Sequence, residues 1–176
     1  MLLKLKRTPG IYLVGFMGSG KTTIGRLLAE EIGWNFTDVD ALIEGQQKET
    51  IARIFEMSGE PEFRRLEHDA IRSCVRKVER GQPAVLALGG GAFLQQNNFE
   101  LLGNNGVSVW LDCPFDLIAA RVRLNGNRPL ARDIESLRTL YDERRPGYER
   151  ADFRIAVGHC PPRQNVAAVM DLPLFK

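Results

Sequence analysis

Residues 15–22 read Gly15-Phe16-Met17-Gly18-Ser19-Gly20-Lys21-Thr22, which fits G-x-x-x-x-G-K-[ST] without a mismatch. The stretch joins two unlike segments. Residues 11–14 are a short apolar run. Residues 22–32 place Ile24, Leu27, Leu28 and Ile32 on one helical stripe, which Gly33 stops. Strand, glycine-rich turn and amphipathic helix, in that order, predict a loop that wraps a phosphate chain. Glycine lets the backbone turn its N–H groups inward on an anion, and the helix that follows presents its positive end to the same charge. Lys21 can bridge the β- and γ-phosphates, and the Thr22 hydroxyl is a natural Mg²⁺ ligand. Gly18, Ser19, Gly20, Lys21, Thr22 and Thr23 are the nucleotide-binding residues expected here.

Outward from the loop, apolar runs alternate with amphipathic ones. Strands are expected at 11–14, 35–39, 84–88, 107–111 and 153–157. Helices are expected at 41–47, 50–57, 60–80, near 98–102, at 114–123 with Pro114 at its start, at 133–148 apart from Pro146, and at 165–171. Residues 124–132 are polar, carry Gly126 and Pro129, and read as a mobile loop. Alternating strand and helix imply a parallel sheet covered on both faces, with ligands at the carboxyl ends of its strands. The phosphate loop, Asp38 and Asp40, and the run Gly89-Gly90-Gly91 all fall at such ends.

Composition limits the alternatives. A chain of 176 residues, 44% hydrophobic and 26% charged, suits one packed domain. The net charge of +2, with no basic tail, gives no footing for nucleic acid or a membrane surface. No apolar run approaches the roughly 18 residues of a membrane span, and the first seven residues lack a signal-peptide core, so a cytoplasmic location is expected. Cys74, Cys113 and Cys160 are scattered and read as reduced thiols, and His68 and His159 lack metal-ligand spacing. The chain has no Asn-Lys pair for guanine and no D-x-x-G switch element, which argues against a GTPase and leaves a small-molecule kinase in front.

Asp38 and Asp40 stand two apart at the end of the second expected strand, so both would face one side. One could serve Mg²⁺ through water and the other a substrate hydroxyl. The competing reading is a solvated strand end with Asp40 capping a helix at Ala41.

At this point the sequence resembles shikimate kinase. The likeness is carried by G-F-M-G-S-G-K-T-T-I-G-R-L-L-A, F-T-D-V-D, G-E-P-E-F-R-R-L-E at 59–67, L-G-G-G-A at 88–92, N-R-P-L at 127–130 and R-R-P-G-Y at 144–148. It implies a three-layer α/β/α P-loop kinase fold with a parallel five-stranded sheet and a mobile lid. One domain over 1–176 would carry substrate-binding helices at about 40–80 and the lid at about 124–133. The implied reaction moves the γ-phosphate of MgATP to the 3-hydroxyl of shikimate, in a monomer.

By the same resemblance, Asp38 is the Mg²⁺-side acid and Asp40 meets the substrate hydroxyls. Arg64 and Arg144 clamp the carboxylate, for which a planar guanidinium fork is suited. Gly89, Gly90 and Gly91 let the backbone approach the substrate, and Phe55 and Phe63 are apolar walls beside its ring. Arg128 swings over the phosphates as a finger supplied in cis, with Arg121 as a second charge. Taken alone, Arg64 reads rather as a helix-surface partner of Glu67 or His68, and it is the full set of motifs that reverses this. The tail departs from the pattern after Tyr148, and Arg163 is the substitute there for an adenine-side basic residue. Gluconate kinase, nucleoside monophosphate kinase and a non-catalytic nucleotide-binding protein are the competing readings. Lys21, Asp40 and Arg128, whose loss would mark the last of these, are all present.

Overall fold

The computed structural model describes residues 10–125 and 134–175. Its elements run β1 (Gly10–Val14), α1 (Lys21–Ile32), β2 (Asn35–Asp38), α2 (Val39–Gln47), α3 (Ile51–Glu79), β3 (Ala84–Ala87), α4 (Gln96–Asn104), β4 (Val107–Asp112), α5 (Phe115–Asn125), α6 (Ile134–Tyr148), β5 (Phe153–Ala156) and α7 (Pro162–Met170). Short 3₁₀ turns cover Ala92–Leu94 and Pro173–Phe175.

Five strands form one sheet in the order β2-β3-β1-β4-β5, and every pairing is parallel. Ile11, Tyr12, Leu13 and Val14 are all buried, although successive side chains of a strand point to opposite faces. Both faces are therefore covered, which makes three layers. The α/β expectation and the five strands hold, with strand ends shifted by at most one residue. Among the described residues no helix is long and apolar enough to cross a membrane.

The boundaries follow local chemistry. Gly20, at φ 94°, caps α1 at its start, and Gly33, at φ 70°, closes it by donating its N–H to the Ala29 carbonyl. The two helices expected at 50–57 and 60–80 meet in one element, α3, bent where Gly59 leaves helical geometry and Pro61 follows. Thr50 caps its start through the Arg53 N–H.

Several expectations need correction. α6 runs through Pro146 to Tyr148, because a ring near the helix end disturbs only one hydrogen bond. α5 reaches Asn125, so the first two residues of the expected lid are helical; the rest of that segment, with Arg128, lies outside the described residues. α7 begins at Pro162 rather than at 165, since Pro161 and Pro162 supply a pre-set first turn. Asp40 is not on a strand: β2 ends at Asp38, whose side chain accepts from the Ala41 N–H and starts α2 one residue later. Asp38, not Asp40, is the cap.

α1 lies tightly on the sheet. A Cβ at Gly25 would stand 2.6 Å from Phe36 Cε2 and 3.1 Å from Leu13 Cδ1. Alanine gains about 1 kcal/mol of helix propensity there, but overpacking of a filled interface costs about 1–3 kcal/mol. Gly25→Ala is therefore expected to lower the urea midpoint of unfolding; a raised midpoint would show that the Phe36 ring moves aside freely.

Candidate active site at the carboxyl ends of the strands

The carboxyl ends of β1, β2, β3 and β4 lead into the phosphate loop, Asp38, Gly89 and Cys113. Lys21 Nζ donates to the carbonyls of Gly15 and Phe16, both at 2.8 Å, and so lies across the mouth of the loop. Ser19 is fully buried, whereas Thr22 and Thr23 face outward. From α5, Arg121 Nη1 donates to the Gly18 carbonyl at 2.7 Å. The loop thus carries two cations within hydrogen-bonding reach of its backbone, as expected for a binder of several phosphates.

The two acids diverge. Thr22 Oγ1 donates to Asp38 Oδ2 at 2.5 Å, while Asp38 Oδ1 accepts from Ala41. This pair offers a hydroxyl and a carboxylate, hard oxygen donors of the kind Mg²⁺ takes alongside water and phosphate. Asp40 turns the other way, toward the glycine run. A Cβ added to Gly89 would lie 2.7 Å from Asp40 Oδ1 and 2.9 Å from Glu67 Oε1.

The glycine run is the hub. A Cβ at Gly90 would lie 3.1 Å from Arg144 Nη1 and 3.5 Å from the Met17 backbone nitrogen. A Cβ at Gly91 would collide with the guanidinium of Arg64, whose Cζ would be 2.9 Å away. Asp40, Arg64, Arg144 and the phosphate loop therefore converge on three residues that have no side chains. Tyr148 donates its hydroxyl to the Gly90 carbonyl in a short hydrogen bond. Burial pushes that phenol up to about 12, with Arg144 and Arg64 pulling it back. Arg144 also lies 5.8 Å from the centre of the Phe16 ring, a contact between helix α6 and the phosphate loop itself.

Phe63 is buried and Phe55 half-buried, their ring centres 4.6 Å apart. Phe63 also lies 5.3 Å under the Arg64 guanidinium. Arg163 is exposed in the first turn of α7.

Glu67 is the residue that sequence reasoning passed over. It was visible only as a surface partner of Arg64, and the pair does form: Nη1 donates to Glu67 Oε2 at 2.6 Å. Glu67 is nevertheless fully buried, and its other oxygen has no hydrogen-bond partner among the described residues. The signal lay in the spacing. Phe63, Ala70, Ile71 and Cys74 are buried on the same helix at offsets −4, +3, +4 and +7 from it. Tyr148, quoted above without a role, is the second residue the geometry adds.

Burial raises the Glu67 carboxyl to about 6, and nearby Asp40 adds to this, while Arg64 and Arg144 oppose it. The folded chain therefore keeps a proton that the unfolded chain releases between pH 4.5, the ordinary value, and about 6. The contribution of this group to stability is complete below that window and is lost as pH rises through it. A rise of this size corresponds to about 2 kcal/mol. Glu67→Gln cannot titrate, so its stability relative to the parent chain is expected to improve by about 1–2 kcal/mol between pH 4.5 and 7 in urea unfolding. A difference that does not change with pH would contradict the shift.

Comparison with known proteins bears directly on this arrangement. The family described as shikimate kinase matches residues 17–172. A shikimate kinase of Sulfurihydrogenibium sp. (strain YO3AOP1) is 39% identical over 161 residues, covering 91% of this chain and 95% of that protein. Among solved structures, shikimate kinase from Acinetobacter baumannii in complex with shikimate superposes with a TM-score of 0.89 at 36% identity, covering 99% of this chain and 97% of the other. The Aquifex aeolicus vf5 shikimate kinase gives a TM-score of 0.78 at 30% identity, covering 92% and 93%. With a family match over most of its length, and with relatives of this identity that it spans almost end to end, the chain belongs to the shikimate kinase family.

Proposed function

We propose that the chain transfers the γ-phosphate of MgATP to the 3-hydroxyl of shikimate, yielding shikimate 3-phosphate and ADP. The observation that carries this reading is the convergence on Gly89–91 of two guanidiniums, Arg64 and Arg144, and two carboxyl groups, Asp40 and Glu67, beside the phosphate loop. An acid bearing hydroxyls fits that pattern. Its carboxylate meets Arg64 and Arg144, and its hydroxyls meet Asp40. Gluconate shares those groups; what favours shikimate is the family membership and the shikimate bound in the 36%-identical Acinetobacter protein. A nucleotide acceptor would bring a phosphate and a base, and no residue described above offers base recognition. The resemblance also supports a single-domain cytoplasmic monomer.

The chemistry asks for placement and charge stabilisation rather than a covalent intermediate. Backbone N–H groups of the phosphate loop cradle the triphosphate, and Lys21 leaves the Gly15 and Phe16 carbonyls for phosphate oxygens. Thr22 and Asp38 are the residues that would hold Mg²⁺, which would neutralise negative charge on the triphosphate. Asp40 orients the acceptor hydroxyl and takes its proton as that oxygen bonds to the γ-phosphorus and the bond from phosphorus to the β,γ-bridging oxygen breaks, with ADP as the leaving group. Arg121 and Arg128 offset the charge developing on the transferred group. Arg128 is assigned from the N-R-P-L motif alone. Phe55 and Phe63 form an apolar wall beside the clamp, which lowers the local dielectric and strengthens it.

Steady-state kinetics of three variants test these roles. Arg144→Ala is expected to raise KM for shikimate about 10- to 100-fold, the worth of a hydrogen-bonded charge, with little change for ATP. Equal loss for both substrates would contradict the clamp. Arg128→Ala is expected to lower kcat by about 10³-fold with smaller changes in KM; unchanged turnover would remove the finger. Asp40→Asn is expected to lower kcat by about 10²-fold or more, and a change confined to KM would leave Asp40 a binding residue only.

A further inference from the structure

The last turn of α6 has an unusual task. It carries Arg144, and it also carries Pro146. The proline has no N–H to offer the Asp142 carbonyl, and its ring crowds that carbonyl, so the backbone locates Arg144 less firmly than an ordinary helix would. The turn is instead held from outside. On one side Tyr148 donates to the Gly90 carbonyl.

On the other side stands Arg145. Its Nη1 and Nη2 donate to Asp112 Oδ1 and Oδ2 at 2.6 and 3.3 Å, a bidentate pair at the carboxyl end of β4. Nη1 also reaches the Tyr141 hydroxyl at 2.8 Å, and that hydroxyl donates to the Cys113 carbonyl at 2.9 Å. The guanidinium lies 5.0 Å from the centre of the Trp110 ring. The pair is mostly buried, with the Asp112 side chain 11% and the Arg145 side chain 27% exposed. Arg154 adds two hydrogen bonds to Asp112 Oδ2, at 3.0 and 2.5 Å, but is itself 60% exposed.

Neighbouring helix residues are about 100° apart around the axis. Fixing Arg145 against β4 therefore fixes the direction in which Arg144 leaves the helix, toward Gly90 and Phe16. With a helix radius of about 5–6 Å including side chains, a rotation of roughly ten degrees would swing the Arg144 head by about 1 Å. A displacement of that size is enough to spoil recognition that depends on a forked geometry.

We propose that the Asp112–Arg145 ion pair is a positioning device for substrate-binding Arg144, so that both residues tune affinity for the acid without touching it. This rests on the reading of Arg144 as half of the carboxylate clamp. The pair acts on the acid site directly through its neighbour Arg144; it reaches the phosphate loop only at one remove, through the packing of the Tyr141 ring on Phe16, while Lys21 and the loop backbone hold the triphosphate side.

The test is steady-state kinetics with MgATP and shikimate on the full chain, for Arg144→Ala, Arg145→Ala, Arg145→Lys, Arg154→Ala and the Arg144→Ala/Arg145→Ala double variant. Arg145→Ala and Arg145→Lys are expected to raise KM for shikimate about 10-fold while KM for ATP moves less than about twofold, because lysine keeps the charge but lacks the fork. Arg154→Ala is expected to leave both values near the parent. In the Arg144→Ala background, loss of Arg145 is expected to add nothing further to KM for shikimate, since its effect passes through the missing side chain. The lysine variant keeps the test usable if the alanine variant folds poorly. Unchanged KM for shikimate in the Arg145 variants, an equal rise in Arg154→Ala, or a full additive rise in the double variant would each overturn the proposal. If Arg144→Ala alone leaves KM for shikimate unchanged, the carboxylate clamp itself fails, an outcome separate from the others.

Discussion

The site depends on three consecutive residues without side chains. Gly89, Gly90 and Gly91 stand one residue beyond the buried strand β3, and Asp40, Glu67, Arg64, Arg144 and the backbone of Met17 all pack to within contact distance of where their Cβ atoms would be. Such approach is available only to glycine. A parallel sheet brings strand ends together at one edge, but only a bare backbone there lets groups from α2, α3, α6 and the phosphate loop meet at a single point. The fold supplies the meeting place, and the glycines supply the room.

The charges gathered at that point are balanced. Arg64 and Arg144 bring two positive charges, and Asp40 and Glu67 can bring two negative ones. Burial acts against ionised Glu67, and the arginines act for it. Arg64 is held by Glu67 and Glu60 on its own helix. Arg144 is held through its neighbours, by the Tyr148–Gly90 bond and the Arg145–Asp112 pair. A forked cation kept in place before the acid arrives loses less freedom on binding, which is where preorganisation gains affinity. The phosphate loop is tied to the same frame, because Phe16 contacts both Arg144 and Tyr141.

Much of this was legible in the sequence, because much of it is local. The phosphate loop is eight contiguous residues with a strand before and a helix after, and β3 is an apolar run that ends in three glycines. What was hidden depends on where elements start or on contacts far apart in the chain. Asp40 looked like a strand residue because period-two spacing cannot show that Asp38 will cap a helix one residue earlier. Glu67 looked like a surface partner of Arg64, although its place on an apolar helical stripe pointed inward. The tie between Arg145 and Asp112 spans 33 residues and leaves no local pattern at all. The lid expectation, with Arg128, lies mostly outside the described residues and stands on its motif.

The central claim is that this pocket joins a phosphate loop to an acid clamp built for shikimate. The most direct measurement is ADP release with MgATP and, in turn, shikimate, gluconate and AMP as acceptor. Rapid turnover with shikimate and background rates with the other two is the result expected. Binding of ATP without turnover on any of them, or preference for gluconate or AMP, would contradict the assignment of Arg64, Arg144 and Asp40 to a shikimate site.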